Sequence, residues 1–495
     1  MLNVILTMLL AAALPLVDAV KSGDRAAAIA MIAQRVNVNI PEADGTTALH
    51  WAIHQNDLDL ADRLIRAGAN VKAKNDYGAT PMSEAALLGN AAMLDKLLKA
   101  GADVESPNAD GQTALMVVAH SGNVEAAKVL LSHGANVNAK EQWREQTALM
   151  WAAAQKQPAI VKELVAQGAD VNAQSKVNNW ERQVTAEPRA IYRPAGGWTP
   201  LLYSAREGCV ECARILAEGE ADLNMTDPEG VTPLLLAVLN DHYDLAAYMI
   251  QKGANVNKWD WFGRTPLYIA VDLNTIPRGG RPDRPSLDET TSLQIIEQLL
   301  AAGANPNAQL KLAPPFRNIG NDRGLDGMLT IGATPLLRAA KALDAPAVRL
   351  LLEHGANPHL PNNNGITPIM AAAGLGSTDA DTRGIFTTED TQQRSIASLE
   401  LLLKAGADIN APSTGGGRTA GQTPLHGAAF WGWNGVVQFL VDHGAKLDAK
   451  DARGMTPVDS AMGRAGGNSR GGARIDVHED TAALLQKLMA AAAAR

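Results

Sequence analysis

Cys209 and Cys212 are the only cysteines in 495 residues, and their C-x-x-C spacing is one at which two thiols can exchange with a disulfide or share a metal ion. The pair has no strand-helix-strand pattern around it and no second C-x-x-C to complete a metal site. The two side chains therefore read as small hydrophobes, packed or half-exposed. His50 and His54 are four residues apart, a spacing that puts both imidazoles on one helix face, where they could hold a metal. Trp51, not Glu, follows His50, so the H-E-x-x-H arrangement of a metal-assisted hydrolase is missing. The chain carries no P-loop, no G-x-S-x-G and no strand-associated G-x-G-x-x-G, and its carboxylates are scattered. No catalytic residue, cofactor or metal is expected, and the chemistry to look for is recognition.

Any recognising side chain must be positioned by a repeat. A Thr followed by an apolar segment recurs at Thr47, Thr80, Thr113, Thr147, Thr199, Thr232, Thr265, Thr334, Thr367, Thr423 and Thr456, and six of the ten intervals are 33 residues. A unit of that length is one supersecondary element that cannot bury its own apolar face, so neighbours must bury each other in a stack. Hydrophobic residues make up 46% of the chain but aromatics only 4%, which suits thin layers of Ala, Leu and Val between helices. A net charge of -8 opposes nucleic-acid binding, which needs a basic stripe to neutralise phosphates. Two cysteines provide no disulfide framework.

Residues 78–104 show how one unit is built. Gly78 permits a tight turn, Thr80 is placed as an N-cap, and Pro81 sits at the first helical position, where its missing N–H is not needed. A short helix runs to about Leu88, Gly89-Asn90 turns the chain, Leu94, Leu97 and Leu98 give a second helix one apolar face, and Gly101 closes it.

These residues resemble ankyrin repeats. The likeness is carried by Thr-Pro-Leu starting at Thr199, Thr232, Thr265, Thr334 and Thr423, by Thr47-Ala48-Leu49-His50 and Thr423-Pro424-Leu425-His426, and by Gly-Ala-Asp/Asn at Gly68, Gly101, Gly134, Gly168, Gly253, Gly303, Gly355 and Gly406. The resemblance implies an all-α, right-handed solenoid of about twelve helix-turn-helix units. Hairpin-like finger loops and inner helices would line a concave face that in the family usually binds proteins. The positions that face the family's groove hold Tyr77, His120, Trp143, Trp198, Arg206, Glu207, Trp261, Phe262, Arg264, Phe430 and Trp431. Trp51 and Trp151 fall inside helices and are assigned to packing, and His50 to stitching adjacent repeats. Ala48, Ala114 and Ala148 replace the usual Pro, and Glu145 replaces the turn Gly. Glu220 stands where the helix-closing Gly belongs, one residue after Gly219, so that repeat is expected to end irregularly.

The phase of the repeat divides the chain. Residues 1–13 are an apolar segment, and both an export-signal remnant lacking its basic region and a cap on the first helix pair fit it. Residues 14–43 form an N-terminal capping repeat and 44–173 regular repeats. Residues 174–196 are a finger-loop insertion with Trp180, Tyr192, Arg182, Arg189 and Arg193, open to reading as an interface or as a solvated loop. Repeats resume over 197–274. Residues 275–291 are a solvated inter-helix insertion, 292–308 finish that repeat, and 309–331 are a second finger-loop insertion. Repeats over 332–462 carry insertions near 377–394 and 411–420. Residues 463–495 hold a Gly/Arg-rich spacer and a capping helix. The expected function is a non-enzymatic, monomeric scaffold for a protein partner, with no nucleic-acid partner and no stable membrane insertion. The alternative is a small-molecule or carbohydrate module in which groove aromatics stack on the ligand.

Overall fold

The computed structural model describes residues 15–178, 195–275, 288–312, 328–376, 388–464 and 477–494. Residues 1–13, the five aromatic and Arg residues of the first finger insertion, Arg278 to Ser286, the core of the insertion near 377–394 and most of the Gly/Arg-rich spacer lie outside the described residues. Among the described residues there are 24 α-helices, which fall into twelve inner-outer pairs from Leu16–Lys21 with Arg25–Ala33 to Pro457–Ala461 with Glu479–Ala493. A two-residue antiparallel pair, β1 (Val177–Asn178) with β2 (Ala195–Gly196), forms the root of the first finger insertion, with Val177 opposite Gly196. The expected single stack divides into two compact units, one containing the described residues up to Pro228 and the other beginning at Glu229.

Each repeating Thr is the N-cap of an inner helix, because extended backbone at that residue lets its hydroxyl accept a helical N–H otherwise left unpaired. Thr80 Oγ1 accepts from the Ser83 N–H at 3.1 Å while Ser83 Oγ accepts from the Thr80 N–H at 2.8 Å, a reciprocal capping box. In Thr47-x-x-His50 and Thr423-x-x-His426 the imidazole takes the second role. Nδ1 accepts from the Thr N–H at 3.2 and 3.1 Å, and Nε2 reaches the carbonyls of Ala79 and Met455 in the next finger at 3.2 and 3.1 Å. His50 thus stitches repeats as expected.

That geometry fixes the tautomer: Nε2 must carry the proton and Nδ1 must be free to accept. Protonating Nδ1 would set two donors against each other, and burial pushes both imidazoles' pKa down from the ordinary value. The unfolded chain therefore binds protons that the folded chain refuses, so this contribution to stability is present above about pH 6.5 and is lost as pH falls below it. Thermal unfolding between pH 6.5 and 5 should show a falling midpoint in the wild type and a flatter one in a His50→Gln, His426→Gln variant. Equal slopes would remove the imidazoles as the cause.

A buried or half-buried acceptor organises the finger turns. Asn75 Oδ1 accepts from the N–H groups of Tyr77 and Ala79 at 3.1 and 2.8 Å, and Asp260 Oδ1 from those of Phe262 and Arg264 at 3.0 and 2.9 Å. In the finger one residue longer, Glu141 spans the extra length and accepts from Trp143, Arg144 and Gln146. The bases of the fingers are joined by a ladder of Asn side chains: Asn39 Nδ2 donates to the Gly68 carbonyl at 2.9 Å and Asn39 Oδ1 accepts from the Asn70 N–H at 2.7 Å. The same two bonds recur from Asn138, Asn172, Asn257, Asn307 and Asn410.

The irregular end expected at Glu220 does not occur. Gly219 has an ordinary φ of -86° and Glu220 takes the left-handed place at φ 66°, so the phase is kept by a strained residue. Gly219 is there for packing: a Cβ on it would lie 2.9 Å from Val165 Cγ1. Glu220→Gly should stabilise the first unit by about 1 kcal/mol, since a left-handed non-Gly residue costs roughly that much. A lower midpoint in denaturant would contradict this account.

The insertion at 275–291 is not solvated throughout. Asp288 Oδ2 accepts from the Asp244 N–H at 3.2 Å, and Asp244 accepts in return from the N–H groups of Glu289 and Thr290 at 3.0 and 2.9 Å, which pins the loop's end to the outer helix Tyr243–Gln251.

Candidate functional site

Two residues three apart share one face of a helix, and the fourth and seventh residues after each capping Thr form such a stripe on the inner helices. In the first unit these are Trp51 and His54, Glu84 and Leu87, Val117 and His120, Trp151 and Ala154, Tyr203 and Arg206. Leu87 is 64% exposed, and His54, His120 and Arg206 are also exposed. Ring contacts order the stripe. Trp51 meets His54 edge-on at 5.7 Å, and Trp151 meets His120 at 5.5 Å. The Arg206 guanidinium lies over Trp198 at 5.2 Å and over Tyr203 at 5.4 Å. Glu207 holds Arg206 Nε at 2.6 Å, and the Tyr203 hydroxyl accepts from Gln146 Nε2 at 2.5 Å. The finger tips present Tyr77, 71% exposed, and Trp143, 73% exposed. Trp143 is set in place by its own backbone, whose N–H bonds Glu141 Oε2 at 2.6 Å.

Six of the eleven expected groove residues, Tyr77, His120, Trp143, Trp198, Arg206 and Glu207, belong to this first unit. Trp51 and Trp151, assigned to packing, are half-buried on the same stripe. Trp51 donates to Glu42 Oε2 at 2.6 Å beneath Lys21, whereas the buried Trp151 Nε1 has no hydrogen-bond partner among the described residues. Their spacing from the capping Thr, shared with Tyr203, was the signal that identifies them and Leu87.

The second unit differs. Its stripe positions include Ile269, Arg338 and Lys341, and the last two are only 6% and 3% exposed. Arg338 Nε is paired with Asp272 Oδ1 at 2.5 Å. The roots of the 309–331 insertion are packed: Leu310 and Leu329 with Tyr268, Ala333 and Leu337, and Met328 with Ile366, Met370, Ala371 and Leu375.

Three expected groove residues of this unit are packed instead. Phe262 is 6% exposed, and its carbonyl accepts backbone N–H groups from Lys311 and Leu312 at the start of the insertion. Arg264 is buried against Asp260 at 2.7 Å and lies over the Phe262 ring. Trp431 stacks on Trp433 at 6.1 Å and donates Nε1 to the Gly374 carbonyl at 2.8 Å. Trp261 and Phe430 stay exposed, as does Trp259, which the sequence reading passed over and which carries Lys311 above its ring at 3.7 Å.

The chemistry-bearing residues resolve differently from expectation in one respect. Cys209 and Cys212 are joined by a disulfide and are not free packed thiols. His50 is committed to its capping box, and His54 turns to Glu84 Oε2 at 3.4 Å, so the two imidazoles do not converge. Among the described residues no group of three or more His, Cys, Asp or Glu side chains is placed to hold a metal, and no helix is long and apolar enough to cross a membrane.

Comparison with known proteins gives a consistent result. Residues 16–108, 89–175, 183–260 and 219–309 match the family described as Ankyrin repeats (3 copies), and residues 331–363 and 420–452 match the single Ankyrin repeat. The chain is 44% identical over 69 residues to Rabankyrin-5 of Mus musculus, covering 12% of this chain and 6% of that protein. It is 33% identical over 130 residues to Ankyrin repeat and SOCS box protein 16 of Mus musculus, covering 26% of this chain and 25% of that protein. A further relative, 26% identical over 144 residues (27% of this chain, 23% of that protein), is the Palmitoyltransferase ZDHHC13 of Mus musculus. The chain thus spans a quarter or less of the length of these curated relatives. Among solved structures, the human ASB11 ankyrin repeat domain aligns with 47% of this chain and 97% of its own, at 26% identity and a TM-score of 0.39. Ankyrin repeats are generally protein–protein interaction modules. The repeated caps, the paired helices and the family match over more than half of its length identify the chain as a member of the ankyrin-repeat family.

Proposed function

We propose that this chain is a non-enzymatic scaffold that binds a protein partner through the inner-helix and finger face of its first unit. The observation that carries the reading is the contrast between the units. Leu87, His120, Arg206, Tyr77 and Trp143 are exposed in the first, whereas Leu236, Ile269, Arg338 and Lys341 on the stripe of the second are buried. Exposed aromatic anchors beside an Arg are the composition of a protein interface, and an apolar surface of this kind is a liability without a partner. Stacking of a flat ligand or a sugar is less favoured, because the Trp198 and Tyr203 rings already engage the Arg206 guanidinium.

The test is retention from a lysate of the native cells on the immobilised full chain, compared with a Leu87→Asp, Trp143→Ala variant. A protein held by the wild type and released by the variant supports the reading. Equal retention by both, or thermal stabilisation by a small metabolite with no protein retained, contradicts it.

A further inference from the structure

Four of the six outer helices of the first unit are capped by Asp or Asn, while Gln157 before Pro158–Ala166 makes no side-chain cap. Asp24, Asp57, Asn90 and Asn123 each accept the N–H three residues on through a side-chain oxygen, the arrangement that satisfies an otherwise unpaired donor. At the equivalent place before Val210–Glu218 stands Cys209, whose Sγ receives the Cys212 N–H at 3.2 Å. Cys212 in turn is fully buried at the position that Met93 and Ala126, also fully buried, take in other repeats. A disulfide sulfur is a weak acceptor, whereas a thiolate is a strong one and is favoured by the positive end of a helix. One residue type at this cap thus changes its capping strength with its oxidation state. Cys209 keeps 8% of its surface exposed and Cys212 none, so of the two residues only Cys209 reaches solvent.

We propose that Cys209 and Cys212 form a reversible thiol–disulfide exchange site whose co-substrate is a dithiol. The reductant's thiolate attacks Cys209 Sγ, the Cys209–Cys212 bond breaks, and Cys212 leaves as a thiolate that takes a proton. The reductant's second thiolate then attacks its own sulfur in the mixed disulfide and expels Cys209, which stays as the thiolate capping the helix or is protonated. The protein gains two electrons and the dithiol is oxidised to a disulfide; the reverse sequence closes the bond. The site lies two residues beyond Glu207, at the turn that ends the inner helix Pro200–Glu207, and it does not depend on the partner reading above.

The experiment uses the full chain equilibrated with dithiothreitol or with glutathione and glutathione disulfide, then trapped with iodoacetamide and mapped by mass spectrometry. The expected result is full interconversion of the two forms with unchanged helical circular dichroism. In the reduced protein Cys209 should be alkylated at least about tenfold faster than Cys212, because a capping thiolate reacts and a buried thiol does not. A Cys212→Ala variant isolates the cap, and Ala fits because other repeats hold it there. In that variant the pH midpoint of Cys209 alkylation should lie well below the ordinary thiol value of about 8.5. A disulfide that yields to dithiothreitol only when the chain unfolds, a midpoint at or above that value, or preferential labelling of Cys212 would each overturn the proposal.

Discussion

Replacing Asp260 by Ala is expected to destabilise the second unit by about 3 kcal/mol or more, the usual cost of leaving one member of a buried ion pair behind. Both Arg264 Nε and a terminal guanidinium nitrogen lie 2.7 Å from Asp260 Oδ2, and the two side chains are 11% and 3% exposed. The other carboxylate oxygen closes the finger turn. The substitution therefore strands a buried guanidinium and two backbone donors together. Lys128→Ala is the informative contrast, since Lys128 pairs with Glu125 while the two side chains are 48% and 74% exposed. Solvent offers the partner an alternative there, and the loss should be far smaller. Denaturant unfolding of both variants, followed by circular dichroism, measures the difference. Similar losses from the two would show that burial of the Asp260 pair is not what matters.

The second large effect is on recognition. A Tyr77→Ala, Trp143→Ala variant should bind the captured partner more weakly by about 2 kcal/mol, roughly 30-fold, because a few aromatic anchors carry most of the energy of a protein interface. Both rings are more than two-thirds exposed, so the unfolding midpoint should move little. Trp261→Ala, in the second unit, should leave affinity within about twofold of wild type, as substitutions outside an interface generally do. Calorimetric titration of the three proteins against the purified partner decides the matter. Weakening by Trp261→Ala alone would move the interface to the second unit's finger tips, where Trp259 and Trp261 stand together.

The fold was legible because its signals are local. An N-capping Thr, a Pro at the first helical turn and a left-handed Gly each act within a few residues of their own position, and they recur in one phase. The groove was legible only where neighbouring fingers are regular. Tyr77 and Phe262 each sit three residues before a capping Thr, yet one is exposed and the other buried. Around Phe262 the chain brings in Lys311 and Leu312, nearly fifty residues away, whose N–H groups bond its carbonyl, and the Arg264 side chain, which lies over its ring. Spacing could not reveal that, nor that Arg264 would turn inward to Asp260. Glu220 misled in the opposite direction: its sequence broke the glycine rule while its backbone obeyed it. The cysteine spacing was visible from the start. Its meaning depended on Cys209 being the cap and Cys212 the third residue of one helix, which brings the two sulfurs within bonding reach.

The Asn ladder has a consequence for how such a chain can change over generations. Asn39 reaches Gly68 across 29 residues, and Asn172, Asn257 and Asn307 make the equivalent bond across 48, 46 and 48. The acceptor distances are 2.9 Å in the first case and 3.3, 3.0 and 3.0 Å in the others. Each rung recognises only the base of the next finger and is blind to how much chain has been threaded between. New sequence can therefore enter by a single duplication or insertion event without any compensating change in its neighbours. Selection is then free to act on the added loop while the inherited frame stays the same.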